Sequence, residues 1–214
     1  VDVCGKFKLL PQCVFMTVNI IDRYMAVREV AKAELQLLAV SALVIIGKYE
    51  EVYPPALKEY IKMCDNTYTR EDIIRMEAEI LVTLNFELAQ PSSLYYLQLV
   101  QAKLGLEQRP FVFARYVLEN ALLDACLLNR SNLCLVAGAI YLVNKIFKRG
   151  PWTTQHSDVC GVAEDDAKMC AKELYITMQQ VDESGLTAVK RKFSTPEHYD
   201  VGKFRVERTC ARRD

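Results

Sequence analysis

Three observations predict an all-α fold. From Leu37 to Ile46 only Ser41 is polar, and a helix that is apolar on every side belongs in the middle of a protein. No segment of the chain alternates convincingly at period 2, the signature of a half-buried strand. The chain also carries a weak internal repeat of helical segments. Aligning 34–49 with 132–147 puts Leu35 on Leu133, Leu37 on Leu135, Ala39 on Ala137 and Val44 on Leu142. Aligning 70–84 with 164–178 puts Glu79 on Glu173, Ile80 on Leu174 and Thr83 on Thr177. Two pairs of matching helices in the same order imply a duplicated helical unit of roughly 90–100 residues.

The elements follow in chain order. Pro11 starts a helix to about Met25, with Val14, Phe15, Val18, Ile21 and Met25 spaced as one apolar face. The central stretch runs from Leu35, reaches the surface at Lys48 after Gly47, and is stopped by Pro54-Pro55. Its apolar run is too short for a membrane, which needs about 20 such residues. A short helix follows to about Met63. Thr69, with Asp72 three residues on, reads as a capping box, and Glu71 adds charge that suits a helix N-terminus. That helix extends to about Leu84. Gln90-Pro91 marks a joint, with proline at a first helical position. Helices are then expected at about 92–104, 109–126 and 131–148. Gly150-Pro151 breaks the chain, a short helix covers 153–160, and a long one runs from Glu164 to about Val181. After Ser184 the chain turns basic in VKRKF (189–193) and RVERTCARR (205–213), and its last residues are expected to be disordered.

Composition excludes several function classes. The 214 residues carry 27 basic and 27 acidic side chains, so no net charge points to nucleic acid or an anionic membrane. No signal peptide or membrane-spanning run is present. The eight cysteines, at 4, 13, 64, 126, 134, 160, 170 and 210, never adopt CxxC spacing. They read as reduced core thiols rather than a zinc site, and no metal or other cofactor is expected. His156 and His198 each read as loop residues with no catalytic motif around them, and no Gly-rich phosphate loop appears. The carboxylate pairs Glu50-Glu51 and Asp165-Asp166 point different ways on a helix and read as solvated ends. With no catalytic residues to assign, the chain is read as a binding protein, not an enzyme.

The stretch GKYEEVYPP (47–55) resembles the SKYEEIYPP-type signature of mitotic cyclins, at the end of the third helix of the cyclin box. CDNTYTREDIIRMEAEIL (64–81) resembles the turn and fifth helix of that box, VFMTVNIIDRYM (14–25) its second helix, and DNTYT leans towards the B type. VKRKFSTPEHYDV resembles the family's last segment, so the likeness runs from about Val1 to Val201. The resemblance implies two tandem five-helix cyclin-box units, the first helix truncated: 1–89 binding a kinase, 90–184 the second box, and 185–214 a basic tail. It implies a regulatory subunit of a cyclin-dependent kinase acting in G2 and mitosis, in nucleus and cytoplasm.

By the same resemblance, Lys48 and Glu77 grip the loop before the kinase's regulatory helix, and Ile45, Tyr49, Leu81, Phe86 and Leu88 cover that helix. The repeat bears on this independently, because Lys48 falls on Ile146 and Glu77 on Ala171: the second unit keeps the core pattern and lacks both charges. A second implied site docks substrate or inhibitor peptides carrying a basic-hydrophobic motif, through Leu35 and Gln36 with Asp2 and Asp65 as an acidic rim. The family's Met-Arg-Ala-Ile-Leu stretch and the tryptophan after it have no counterpart from Val1 onward, so this groove is expected to be incomplete. Arg130 to Leu133 has the RxxL pattern of a destruction signal, but Leu133 opens a buried helix and the stretch reads as structure. Two rival readings remain. A cyclin-fold transcription factor subunit would carry a zinc ribbon or a strongly basic face, and a helical scaffold would bind no kinase.

Overall fold

The computed structural model describes residues 1–204; the basic stretch 205–213 lies outside them. Among the described residues every regular element is helical. The chain divides into two compact units, Val1–Gln90 and Pro91 onward.

The first unit holds α1 (Asp2–Lys6), α2 (Gln12–Met25), α3 (Leu35–Glu50), α4 (Leu57–Met63) and α5 (Arg70–Thr83). Helix α3 is the centre: Leu37, Leu38 and every residue from Val40 to Gly47 are buried, and α2, α4 and α5 pack around it. Helix α5 presents Ile73, Met76 and Ile80 to the core, the three-and-four spacing of a single helical face. On α2 the buried stripe runs through Cys13, Thr17, Ile20 and Tyr24, together with Val14 and Phe15. The expected face through Val18, Ile21 and Met25 is therefore displaced: Val18 and Ile21 are half-buried and Met25 is exposed. Tyr24 can take the inner position because its hydroxyl donates to Glu79 Oε1 at 2.8 Å, which satisfies the polar tip.

The second unit repeats the plan with α6 (Ser93–Leu104), α7 (Gln108–Ala121), α8 (Asn132–Ile146), α9 (Thr154–Cys160) and α10 (Glu164–Ser184). Helix α8 is central, packed by the other four. The helices paired by the repeat, α3 with α8 and α5 with α10, thus hold the same places in their units.

Three local departures from the sequence reading have clear causes. Helix α7 ends at Ala121, not 126, because the Asp124 carboxylate accepts the Cys126 N–H at 2.9 Å and caps a 3₁₀ turn at Ala125–Leu127. His156 lies within α9 rather than in a loop, and its Nδ1 accepts the Thr153 N–H at 3.2 Å in a capping box. The stretch from 185, read as a separate tail, folds into the second unit as far as it is described. Residues Ala188–Phe193 form α11, which packs on α7 with Val189 and Phe193 buried. The basic residues hid this because Lys192 is paired: it donates to both oxygens of Glu119 on α7.

Candidate functional site

Lys48 and Glu77 meet in the first unit. Lys48 ends the apolar run of α3, and its Nζ donates to Glu77 Oε1 at 2.6 Å and Oε2 at 2.8 Å. Two local devices hold the partners in place. The C-terminal end of α3 is tied to the start of α2: Glu51 Oε1 accepts the Leu10 N–H at 2.6 Å, and Glu50 accepts from the Gln12 side-chain amide. These carboxylates are anchors for the helix end that carries Lys48, not the solvated pair the sequence suggested. Burial, then the Glu51 charge, pushes the neighbouring Cys13 thiol up to about 12, so it stays protonated and packs as a small apolar group. The start of α5 is fixed by the Thr69–Asp72 capping box, with both reciprocal hydrogen bonds present.

The pair is asymmetric in exposure. The Lys48 side chain is 52% exposed and that of Glu77 14%. An exposed ion pair of this kind contributes only about 0–1 kcal/mol to folding. Its ammonium keeps donor capacity facing outward, and the carboxylate is held against the helix with acceptor lone pairs to spare.

Exposed apolar residues lie on the two helices that carry the pair and on the turns that follow them. Tyr49, next to Lys48, is half-exposed, and beyond it Val52 and Tyr53 are almost fully exposed. On α5, Ile74, Glu77 and Leu81 are spaced three and four apart and share a face. Ile74 is exposed and Leu81 half-buried. Past the helix, Phe86 is 67% exposed with φ +59° and Asn85 also has positive φ. A bulky residue in the left-handed region is unfavourable by about 1–2 kcal/mol. This turn is held by Arg23, whose Nη1 donates to the Glu87 carbonyl at 2.7 Å. Backbone strain spent on presenting an aromatic ring to solvent points to a binding role.

Of the other expected contacts, Leu88 is half-buried at the end of this turn. Ile45 is only 3% exposed. It belongs to the core of α3, because that helix is enclosed on all sides at this level, and it supports Lys48 and Tyr49 rather than meeting a partner. The sequence reading did not single out Ile74, Val52 and Tyr53, which the structure leaves exposed. Ile74 was accessible to it, one turn before Glu77, but a helix-face count alone could not tell the covered side from the open one.

The residues of the second expected site are exposed. Leu35 and Gln36 open α3, and the Tyr68 hydroxyl donates to Gln36 Oε1 at 3.2 Å, joining α3 to the turn that carries Asp65. Asp65 has φ +51°. Asp2 stands in α1, whose following residue Phe7 stacks edge-on against Tyr60 of α4. Arg130, of the RxxL pattern, makes a two-pronged bridge to Glu173, and Leu133 is half-buried in α8, both structural roles. Among the described residues no group of three or more His, Cys, Asp or Glu is placed to hold a metal ion, and no helix is long and apolar enough to cross a membrane.

Comparison with known proteins gives consistent likenesses. Residues 1–89 match the family model of the cyclin N-terminal domain and residues 91–207 that of the cyclin C-terminal domain. The chain is 31% identical over 194 residues to a G2/mitotic-specific cyclin-B of Hydra vulgaris, covering 91% of this chain and 54% of that protein. It is 30% identical over 210 residues to Cyclin-A1-1 of Arabidopsis thaliana, covering 95% of this chain and 46% of that one. The chain therefore spans about half the length of the relatives it matches. A viral cyclin from herpesvirus saimiri, seen by X-ray, superposes with a TM-score of 0.71 at 19% identity, over 84% of this chain and 80% of that one, which establishes the likeness of fold.

Proposed function

Because the chain belongs to the cyclin family, we propose that it is a regulatory subunit that binds and activates a cyclin-dependent serine/threonine kinase. The observation that carries this reading is the Lys48–Glu77 pair on an open apolar surface of the first unit, without a counterpart in the second. There the position of Glu77 is taken by Ala171, buried against α8, and that of Lys48 by Ile146, half-buried. A pair needed only to build the unit would be present in both copies.

The mechanism is a population shift. The subunit binds the kinase with its regulatory helix in the active position more tightly than it binds the inactive form. Lys48 donates to backbone carbonyls of the loop before that helix, Glu77 accepts from its amides, and Tyr49, Leu81, Phe86 and Leu88 cover the helix, with Ile74, Val52 and Tyr53 extending the patch. Placing the helix completes the kinase's own lysine–glutamate pair, which phosphoryl transfer requires. The chain supplies no reacting group; its role is regulatory rather than catalytic.

The proposal extends to G2 and mitosis and to nucleus and cytoplasm. G2/mitotic cyclin-B relatives and the KYEEVYPP and DNTYT stretches support the timing; A-type relatives match about as well. Leu35, Gln36, Asp2 and Asp65 would receive docking peptides of substrates or inhibitors. The test is capture from a panel of purified cyclin-dependent kinases, followed by a histone phosphorylation assay. Retention and activation of at least one kinase is expected. Failure to retain any member of the panel overturns the reading in favour of a scaffold, and retention of duplex DNA instead favours a transcription factor subunit.

A further inference from the structure

In the second unit, two thiols lie on the packed helices α8 and α10. Cys134 lies in the first turn of α8 and Cys170 in the second turn of α10. The helices approach so tightly that a methyl group on Gly138, one turn after Cys134, would stand 2.9 Å from Cys170 Sγ and 3.0 Å from its Cβ. Cys134 lies near enough to Cys170 to help hold that thiol in its protonated form. Cys134 is half-buried and Cys170 buried, so only the first is within reach of a small molecule. Next to them Arg130 bridges to Glu173, with Nε at 2.9 Å and Nη2 at 2.5 Å. The ion pair lies just before Cys134 in one strand of chain and just after Cys170 in the other. It clamps the same two segments and limits how far the sulfurs can drift apart.

We propose that Cys134 and Cys170 form a reversible dithiol–disulfide site, oxidised by small disulfides of the glutathione type. Cys134 loses its proton and attacks one sulfur of the oxidant; the oxidant's S–S bond breaks and one glutathione leaves, taking up a proton. Cys170 then loses its proton and attacks the Cys134 sulfur, forming the Cys134–Cys170 bond and releasing the second glutathione as a thiol. Two protein thiols are oxidised and one disulfide is reduced to two thiols. The order follows from access and from the burial of Cys170. Burial, then the neighbouring Cys134, then Glu173 hold the Cys170 thiol well above its ordinary range, with Arg130 opposing, so Cys170 resolves rather than initiates. The new bond joins α8 to α10, the central helix of the unit to its longest neighbour, so the oxidised unit resists unfolding better than the reduced one.

Cys126, exposed after α7, reports whether the oxidant reaches the folded chain. The experiment treats the chain with glutathione disulfide, blocks the remaining thiols with N-ethylmaleimide, and maps the digest by mass spectrometry. A peptide pair joined through Cys134 and Cys170, released by dithiothreitol, is expected. In Cys170→Ser the resolving thiol is gone, and glutathione should accumulate on Cys134 about tenfold over wild type. In Cys134→Ser, Cys170 should stay unmodified. Circular dichroism melting confirms that both variants fold. Glutathione on Cys126 with Cys134 and Cys170 both free overturns the proposal. Equal Cys134 adduct in wild type and Cys170→Ser overturns it as well.

Discussion

Glu119 on α7 and Lys192 on α11, far apart in sequence, are joined by two hydrogen bonds of 2.7 Å, and the Glu119 side chain has no exposed surface. Arg115 donates to the same carboxylate from Nε at 3.0 Å, and both cations lie over the Phe193 ring. One buried anion therefore holds two cations and fastens the end of the described chain to the core of the second unit. Glu119→Ala leaves two like charges close together with no carboxylate between them. Losing one partner of a buried pair costs roughly 3–5 kcal/mol. Lys192→Met leaves the Arg115–Glu119 pair intact and should cost less. The measurement is urea unfolding of both variants; equal loss would mean the packing of Phe193, not the carboxylate, holds α11.

The sequence legibly encoded the helices with strong apolar periodicity or a capping box. Helix α3 could be read because its burial is uniform, and α5 because Thr69 and Asp72 announce its start. What it hid were features settled by partners distant in the chain. The basic run at 189–193 looked like a solvated tail because Glu119, which neutralises Lys192, lies on another helix. Glu50 and Glu51 looked like a helix end because the groups they bind, Leu10 and Gln12, are far upstream. At the candidate site the Lys48–Glu77 contact was legible, but the burial of Ile45 and the exposure of Ile74 were not. Those depend on which sides of α3 and α5 are left open.

At the Lys48–Glu77 pair, stability and binding should separate. Lys48→Ala and Glu77→Ala each remove part of a surface ion pair, and folding should change by less than about 1 kcal/mol. Against a kinase backbone, each charge-assisted hydrogen bond contributes roughly 1.5–3 kcal/mol. That corresponds to a loss of affinity of about ten- to a hundredfold. Lys145→Ala, at the matching end of α8, should leave kinase affinity unchanged. Affinity and melting temperature of the three variants decide this. A Lys145→Ala defect as large as that of Lys48→Ala would put the interface on the other unit.

Acid should weaken the second unit. Burial, then Arg149, holds His156 below its ordinary 6.5, and burial, then Arg115 and Lys192, does the same for His198. The unfolded chain then takes up protons at a higher pH than the folded one. The stability from the neutral rings is complete above about 6.5 and declines as pH falls below it. Protonating His156 Nδ1 also removes the acceptor of the Thr153 N–H that starts α9. Melting temperature measured between about pH 5 and 7.5 should drop on the acid side, and the drop should flatten in a His156→Asn, His198→Asn double variant. An unchanged profile in that variant would assign the acid sensitivity to other groups.

Gly47 and Tyr60 form a matched pair just inside the candidate site. A methyl group at Gly47 would stand 2.6 Å from the Tyr60 hydroxyl and 3.7 Å from its ring carbon Cζ. Tyr60 is buried, its ring packs edge-on against Phe7, and its hydroxyl has no hydrogen-bond partner among the described residues. Gly47→Ala therefore forces the ring or α3 to move, and overpacking of this kind costs about 1–3 kcal/mol. Because Lys48 is the next residue, kinase affinity should fall along with stability. Tyr60→Phe deletes the clashing oxygen and a buried hydroxyl without a partner, so alone it should change stability little. In the double variant the methyl group meets only Cζ, at an ordinary contact distance. Alanine in the body of a helix is favoured over glycine by about 1 kcal/mol. The double variant should then melt at or above wild type and recover affinity. Thermal melting of the four-member cycle is the test. If Tyr60→Phe fails to rescue Gly47→Ala, the glycine is needed for the path of the α3 backbone, not for the space it leaves to Tyr60.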